Sequence, residues 1–311
     1  MTMLSRVAER LYWMARYLER AEDTARLTQA YSHLIMDIPA GSEPGWDILV
    51  RILDGEPVFG ENRAYNEQNV LKFLIADDDN PGGIAYCIKA ARENVRTTRD
   101  VLPEEVWEHV NELYLYSQEN AAKSVGRRNR HRFLEQVITQ CQMINGLLMT
   151  TLCRDHAYRF IKLGHLLERA DMTTRVIDVG AGALLGNERL NEAVDPLIWA
   201  SLLQSLSAMG TYRRTIGPLV EVNAVVEFVF RERSLPRSVR FCLDGIRQEL
   251  VPLKHNKEAL RILDRSRRSL SRFNPEKAER EDLHRFIDRF QLELNRLGGM
   301  ISETWFMPVK D

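Results

Sequence analysis

Glu19, Glu22 and Arg26 are spaced i, i+3 and i+7, which places two carboxylates and a guanidinium on one face of a helix. The same face returns in the second half of the chain as Glu168, Asp171 and Arg175. Arg16 and Arg20 flank the first set and Arg169 the second, and Tyr12 extends the first face where the second has Ile161. Such a pattern supports three kinds of chemistry. Guanidinium groups clamp a ligand carboxylate through paired N–H bonds while the acids receive an amine. A carboxylate crowded by others has a raised pKa and acts as a general base, a role that falls to Glu19 or Glu168. Alternatively the groups staple the fold, since Glu22 to Arg26 and Asp171 to Arg175 are i,i+4 pairs in the favourable order. The candidate catalytic residues are therefore Glu19 and Glu168. The candidate ligand-binding residues are Tyr12, Arg16, Arg20, Glu22, Arg26, Arg169, Asp171 and Arg175.

The elements that carry these residues read as helices. Leu4, Val7, Leu11, Met14, Leu18, Ala21 and Ala25 recur at steps of three and four, one apolar stripe on a long helix. Phe160, Leu163, Leu167, Ala170 and Thr174 repeat it. Further amphipathic stretches run over 65–76, 84–101, 104–118, 132–152, 197–209, 212–230, 238–250, 258–270 and 280–305. Strand alternation bounded by hairpin turns is not persuasive anywhere. Ala15, Ala21, Gly164 and Ala170 are small enough to let the two signature helices approach closely, which would desolvate the charges and oblige them to pair.

The repeat extends beyond those helices. Phe73 to Ile88, with its Asn80-Pro81-Gly82-Gly83 turn, resembles Phe228 to Leu243 with Leu235-Pro236-Arg237-Ser238, and Phe133 to Gly146 resembles Phe286 to Gly299. Three matches in one order imply a duplication. The expected architecture is an all-α helical bundle forming a single domain over 1–311, built from two tandem pseudo-symmetric halves, 1–153 and 154–311. No Pro- or Ser-rich linker separates the halves. Pro39 to Gly45 and Asp77 to Gly83 read as loops, and Gly180-Ala181-Gly182 as the most flexible junction of the second half.

A formal net charge of -1 removes the general attraction that a nucleic-acid or anionic-membrane protein needs. The amino-terminal stripe is broken by Arg6, Glu9, Arg10 and Arg16, unlike a signal peptide, and no run has the uncharged length of a membrane span. The expectation is a soluble cytoplasmic protein. Cys87, Cys141, Cys153 and Cys242 are too scattered for a zinc knot or a disulfide framework. Cys153 reads as a buried apolar filler. Glu281 to His284 has the Glu-x-x-His spacing of a di-iron bundle but lacks a second copy, so no metal is expected. His165 reads as a packing residue. Phosphate-loop, dinucleotide and nucleophile-elbow motifs are missing, and no cofactor is expected.

The opening Leu4 to Glu22 stretch, Asp79-Asn80-Pro81, Arg92 to Arg96, Trp107, Leu167 to Asp171 and Pro236 to Val239 together resemble the bacterial alpha-E domain family. The resemblance covers essentially the whole chain. Gly82-Gly83 departs from it, because a serine is expected before Ile84. The resemblance implies partnership with a circularly permuted ATP-grasp peptide or amide ligase, and with a transglutaminase-like protein. On that basis the chain is expected to be a partner or substrate-binding component that holds a peptide-like or amino- and carboxylate-bearing ligand. The alternatives are an enzyme of the same pathway with a paired-carboxylate base, and a non-catalytic helical adaptor. Oligomeric state is not readable from the sequence.

Overall fold

The computed structural model describes residues 5–38, 45–182, 191–278 and 280–307. Among them are α-helices, short 3-10 turns and no strand. The first seven helices are α1 (Ser5–Asp37), α2 (Asp47–Ile52), α3 (Glu56–Phe59), α4 (Glu67–Ile75), α5 (Ile84–Arg96), α6 (Glu104–Asn120) and α7 (Arg127–Thr151). The next seven are α8 (His156–Gly182), α9 (Asn191–Ser205), α10 (Met209–Thr215), α11 (Val222–Arg231), α12 (Val239–Leu250), α13 (Lys257–Arg272) and α14 (Arg280–Trp305).

The two signature helices lie side by side at the centre. α1 packs along α8, with α5, α7 and α9 around α1 and with α12 and α14 around α8. The apolar stripe of α1, Leu11, Met14, Leu18, Ala21 and Ala25, is fully or almost fully buried in a core shared with α5, α6 and α7. Glu19, Glu22, Asp23 and Thr24, which lie off that stripe, are buried as well. Leu163, Leu166, Leu167 and Ala170 of α8 join a second core with α11, α12, α13 and α14. Every residue from 10 to 32 of α1 is buried or half-buried, so the charges there have little access to water and must find partners inside.

The approach of α1 and α8 depends on a missing side chain. A Cβ added at Gly164 would stand 2.2 Å from the backbone oxygen of Tyr12. Small residues at such a crossing let two backbones come together and bring the side chains on either side into direct contact.

Helix ends follow local chemistry. The side chain of Asn66 accepts from Asn69 N at the start of α4, and Ser238 Oγ accepts from Phe241 N at the start of α12. Glu104 and Glu105 stand in the first turn of α6, directly after Pro103. The stretch 212–230, expected as one helix, is two, because Gly217 takes a positive φ of 140° immediately before Pro218. Gly180 to Gly182, expected as a flexible junction, continues α8. Most of the expected Pro39 to Gly45 loop lies outside the described residues. Among the described residues, no helix is long and apolar enough to cross a membrane. All four cysteines are free, and Cys153, expected as a buried filler, is exposed because it sits in the turn between α7 and α8.

Candidate functional site

Along the α1–α8 seam each helix supplies a buried glutamate that the other helix's arginines hold. Glu168 accepts from Arg16 Nε at 2.6 Å through Oε2 and from Arg20 Nε at 2.5 Å through Oε1. Glu19, fully buried, accepts from Arg169 Nε at 2.6 Å and from Arg169 Nη2 at 3.1 Å, a two-pronged grip on both carboxylate oxygens. His165 Nδ1 of α8 lies 2.9 Å from Glu19 Oε2. Exposed ion pairs contribute little, but these carboxylates have left water and rely on the guanidiniums beside them.

The two i,i+4 pairs are present and extend the lattice at its ends. Arg26 Nε donates to Glu22 Oε1 at 2.9 Å and Arg26 Nη1 to Ser207 Oγ at 2.6 Å. Arg175 Nε donates to Asp171 Oδ2 at 2.8 Å, and its Nη1 is 3.8 Å from Asp54 Oδ2. Asp54 and Ser207 follow α2 and α9 and share a left-handed backbone, φ 53° and 54°. Tyr12 is buried in the core, its ring 5.2 Å from that of Phe306, and its hydroxyl accepts a 3.4 Å bond from Arg16 Nη1.

Two proline turns close on this lattice. Arg20 Nη1 donates to Pro81 O at 3.1 Å and Thr24 Oγ1 to Gly82 O at 3.1 Å. Arg169 Nη1 donates to Pro236 O at 3.5 Å and Thr173 Oγ1 to Arg237 O at 3.0 Å. From the second turn the Arg237 guanidinium enters the seam, donating to Glu22 Oε1 at 2.8 Å, to Glu19 Oε1 at 3.2 Å and to Asp23 Oδ1. Sequence reasoning quoted Arg237 and gave it no role, and it overlooked Asp23. The available signal was the unmatched charge at Arg237 where the first turn has Gly82.

Electrostatics separates these acids. Burial works to raise Glu168, but Arg16 and Arg20 outweigh it and hold its carboxyl down at about 2. Burial likewise opposes ionisation of Glu19, and Arg169, His165 and Arg237 hold it well below the usual carboxylate range. The rise expected of these two carboxyls from crowding does not occur, because guanidiniums from the facing helix and turn outweigh the effect of burial. Asp23 goes the other way: burial pushes it up to about 7 against the pull of Arg237, with Glu19 and Glu22 adding to the rise. Burial also pushes the His165 ring below its ordinary value, against the pull of Glu19.

A cavity of about 200 Å³ opens beside the first turn, lined by Arg20, Asp54, Gly82, Glu168, Asp171 and Arg175 among others. Four of the sequence-predicted residues thus share one hollow. Glu19, Glu22, Arg26 and Arg169 gather instead around Arg237, and Arg16 and Tyr12 do not line the cavity. Elsewhere, His284 Nδ1 lies 2.6 Å from Asp178 Oδ1 and its Nε2 3.6 Å from Asp288 Oδ2. These three groups are close enough to share a cation. The hydrogen bond to Asp178 raises the His284 pKa, and a ring set between two acids accounts for the arrangement by itself.

Comparison with known proteins gives this arrangement a family. The chain is 25% identical over 296 residues to an uncharacterized protein of Mycobacterium bovis, covering 88% of this chain and 33% of the relative. An uncharacterized protein of Mycobacterium tuberculosis strain CDC 1551 matches at 25% with the same coverage, and one of strain H37Rv at 24%. The chain therefore spans about a third of the length of the curated relatives it matches. No solved structure matches it significantly. The Alpha-E model, described as a predicted alpha-helical domain with a conserved ER motif, matches residues 3–306. Glu-Arg steps stand here at Glu19-Arg20 and Glu168-Arg169, where the two central helices meet, and the chain belongs to the Alpha-E family.

Proposed function

We propose that this chain is the binding component of an ATP-grasp peptide or amide-ligase system, working in the cytoplasm beside a circularly permuted ATP-grasp ligase and a transglutaminase-like protein. It takes a peptide-like ligand bearing amino and carboxylate groups in the Glu/Arg-lined cleft between α1 and α8. The observation that carries this reading is the cavity at the seam, where guanidiniums and carboxylates converge on one hollow. On this reading Arg20 and Arg175 receive a ligand carboxylate, and Glu168 and Asp171 an amine. Binding is favoured over catalysis because Glu19 and Glu168 are held ionised by their arginines, which leaves neither poised to exchange a proton near neutral pH.

The bundle is two pseudo-symmetric halves, 1–153 and 154–311, meeting at that seam. Support comes from the order of contacts: α1 with α5 and α7 is matched by α8 with α12 and α14. Pro81 and Pro236 receive matching bonds from Arg20 and Arg169. Cys87 and Cys242 each donate to the proline carbonyl of their own half.

The test is affinity capture of the tagged protein from its native cytoplasm, with mass spectrometry, together with assays of peptide binding and turnover. Recovery of an ATP-grasp ligase, with ligand binding and no turnover, supports the proposal. Turnover by the purified chain, lost in a folded Glu19→Gln or Glu168→Gln variant, replaces it with the enzyme reading. The burial of the lattice favours a second reading, a helical adaptor in which the ion pairs serve stability alone. Under that reading the same substitutions lower the melting temperature and no ligand binds.

A further inference from the structure

The two proline turns differ by one side chain that reaches the seam. At Leu235-Pro236-Arg237-Ser238 the Arg237 guanidinium is buried against Glu19, Glu22 and Asp23 of α1. At Asn80-Pro81-Gly82-Gly83 the residue after the proline is Gly82, and beside it is the cavity bounded by Glu168 and Asp171 of α8. The backbones of both turns are held alike, each by one arginine on the proline carbonyl and one threonine on the next carbonyl. The chemical difference is concentrated in a guanidinium present on one side and lacking on the other.

The acids record the same difference. Glu22 receives two donors, Arg26 Nε and Arg237 Nη2. Asp171, at the matching place on α8, receives Arg175 Nε on Oδ2, while its Oδ1 is buried with no partner. Asp171 is only 9% exposed, so that oxygen has lost water without gaining a donor, a condition a native interior seldom leaves uncompensated. By ion pairs the two sides match in charge, since Glu168, Asp171 and Asp54 face Arg16, Arg20 and Arg175. Asp23 Oδ2 on the other side is also buried without a partner, but Asp23 does not line this cavity, whereas Asp171 does. Around Arg237, Glu19, Glu22 and Asp23 face Arg26 and Arg169, and Arg237 itself supplies the third cation. Arg16 pairs with Glu168 but does not line the cavity, and its guanidinium lies over the Trp13 ring at 4.8 Å.

We propose that the cavity beside Gly82 binds a guanidinium group from outside the chain, which donates to Asp171 and Glu168 as Arg237 donates to Glu22 and Glu19. The guanidinium belongs to a free arginine-like molecule or to an arginine side chain of a peptide. The assignment rests on the cleft-binding reading above and names the ligand group that the cleft takes.

The experiment is titration calorimetry on the whole chain with agmatine, N-acetyl-arginine amide and a blocked Gly-Arg-Gly peptide, against citrulline as the neutral isostere. The expected result is binding of the guanidinium compounds at least tenfold tighter than citrulline. Tighter binding of agmatine marks a free small molecule as the source, and tighter binding of the peptide marks a side chain. Gly82→Arg provides the occupant internally. A Cβ at Gly82 meets nothing closer than Asn80 Oδ1 at 3.4 Å, and the backbone is not left-handed there, so this variant is expected to fold. It is expected to abolish agmatine binding with an unchanged or raised melting temperature. Asp171→Asn, which leaves Gly82 untouched, is expected to weaken agmatine at least tenfold. Equal binding of agmatine and citrulline, or unchanged agmatine binding in Gly82→Arg and Asp171→Asn, overturns the assignment. Binding of arginine-free peptides unaffected by Gly82→Arg overturns it while leaving the cleft reading intact, and loss of ligase capture removes that reading independently.

Discussion

Glu168→Gln keeps the shape of the side chain and removes its charge, and what is lost can be worked from the environment. Glu168 is buried between Arg16 and Arg20 at 2.6 and 2.5 Å, and its carboxyl is held at about 2 against an ordinary 4.5. A shift of that size corresponds to about 3 kcal/mol of folding free energy. The side chain is 2% exposed, so solvent screening takes little from this figure. The substitution also points amide hydrogens at a guanidinium and leaves a buried positive charge without its counter-ion, which brings the expected loss to roughly 3–5 kcal/mol. In urea unfolding a loss of about 3 kcal/mol moves the midpoint by about 1 M for a slope near 3 kcal/mol/M. The sign with pH follows from the lowered folded-state pKa. The contribution is complete above about pH 4.5, where the unfolded carboxylate is also ionised, and about half of it is gone by pH 3. The gap between wild type and variant should therefore be widest at pH 6 to 7 and close on acidification. A midpoint shift under about 0.3 M at pH 7, or a gap independent of pH between 6 and 3, refutes the view that the seam depends on this charge.

Other consequences of the seam are open to measurement. Gly164→Ala, normally worth up to about 1 kcal/mol in favour of a helix, should instead lower the melting temperature by several degrees, because the new methyl meets the Tyr12 carbonyl at 2.2 Å. Asp23, pushed up to about 7 by burial, is protonated more readily in the folded than in the unfolded state, so its contribution is complete below about pH 4 and is lost as pH rises through 7. Carboxyl-selective NMR should show its midpoint near neutral pH, and a midpoint near 4 contradicts the assignment. Arg237→Gly strips Glu19, Glu22 and Asp23 of a shared cation and should destabilise the fold by roughly 3–5 kcal/mol. Millimolar agmatine should raise the melting temperature of that variant, and citrulline should not.

What the sequence disclosed and what it hid divide along a physical line. Helices announced themselves because burial of one face forces an apolar step of three and four, and Gly164 with its small neighbours announced the close crossing. The pairs Glu22 to Arg26 and Asp171 to Arg175 were legible because both partners lie on one turn of one helix. Arg237 was not, since its acids are more than 200 residues away along the chain. The direction of the Glu19 and Glu168 shifts was misread for the same reason. The crowding acids stand next to them in sequence, whereas most of the compensating guanidiniums arrive from other elements. The break between α10 and α11 had its signal in Gly217-Pro218, which the apolar periodicity across 212–230 obscured.

A buried lattice of ion pairs is a poor way to gain stability, since well-packed apolar residues of equal volume often serve as well or better. Specificity is a stronger reason to keep one. Each central glutamate is gripped by an arginine of the facing helix that also reaches a proline carbonyl, so the position of each turn is tied to the helix crossing. On the side of Arg237 the chain supplies the central cation itself, although Asp23 Oδ2 is left without a donor. On the side of Gly82 the acids and their arginines are in place, but one donor is wanting at Asp171. In the proposed reading, the Arg237 side holds the crossing in a single geometry and keeps the carboxylates and guanidiniums beside Gly82 preorganised for the proposed ligand. On the proposed reading, two similar turns that differ in the residue after the proline separate two tasks. In that proposal Arg237 fixes the frame, and the glycine opposite leaves room for the proposed guanidinium ligand.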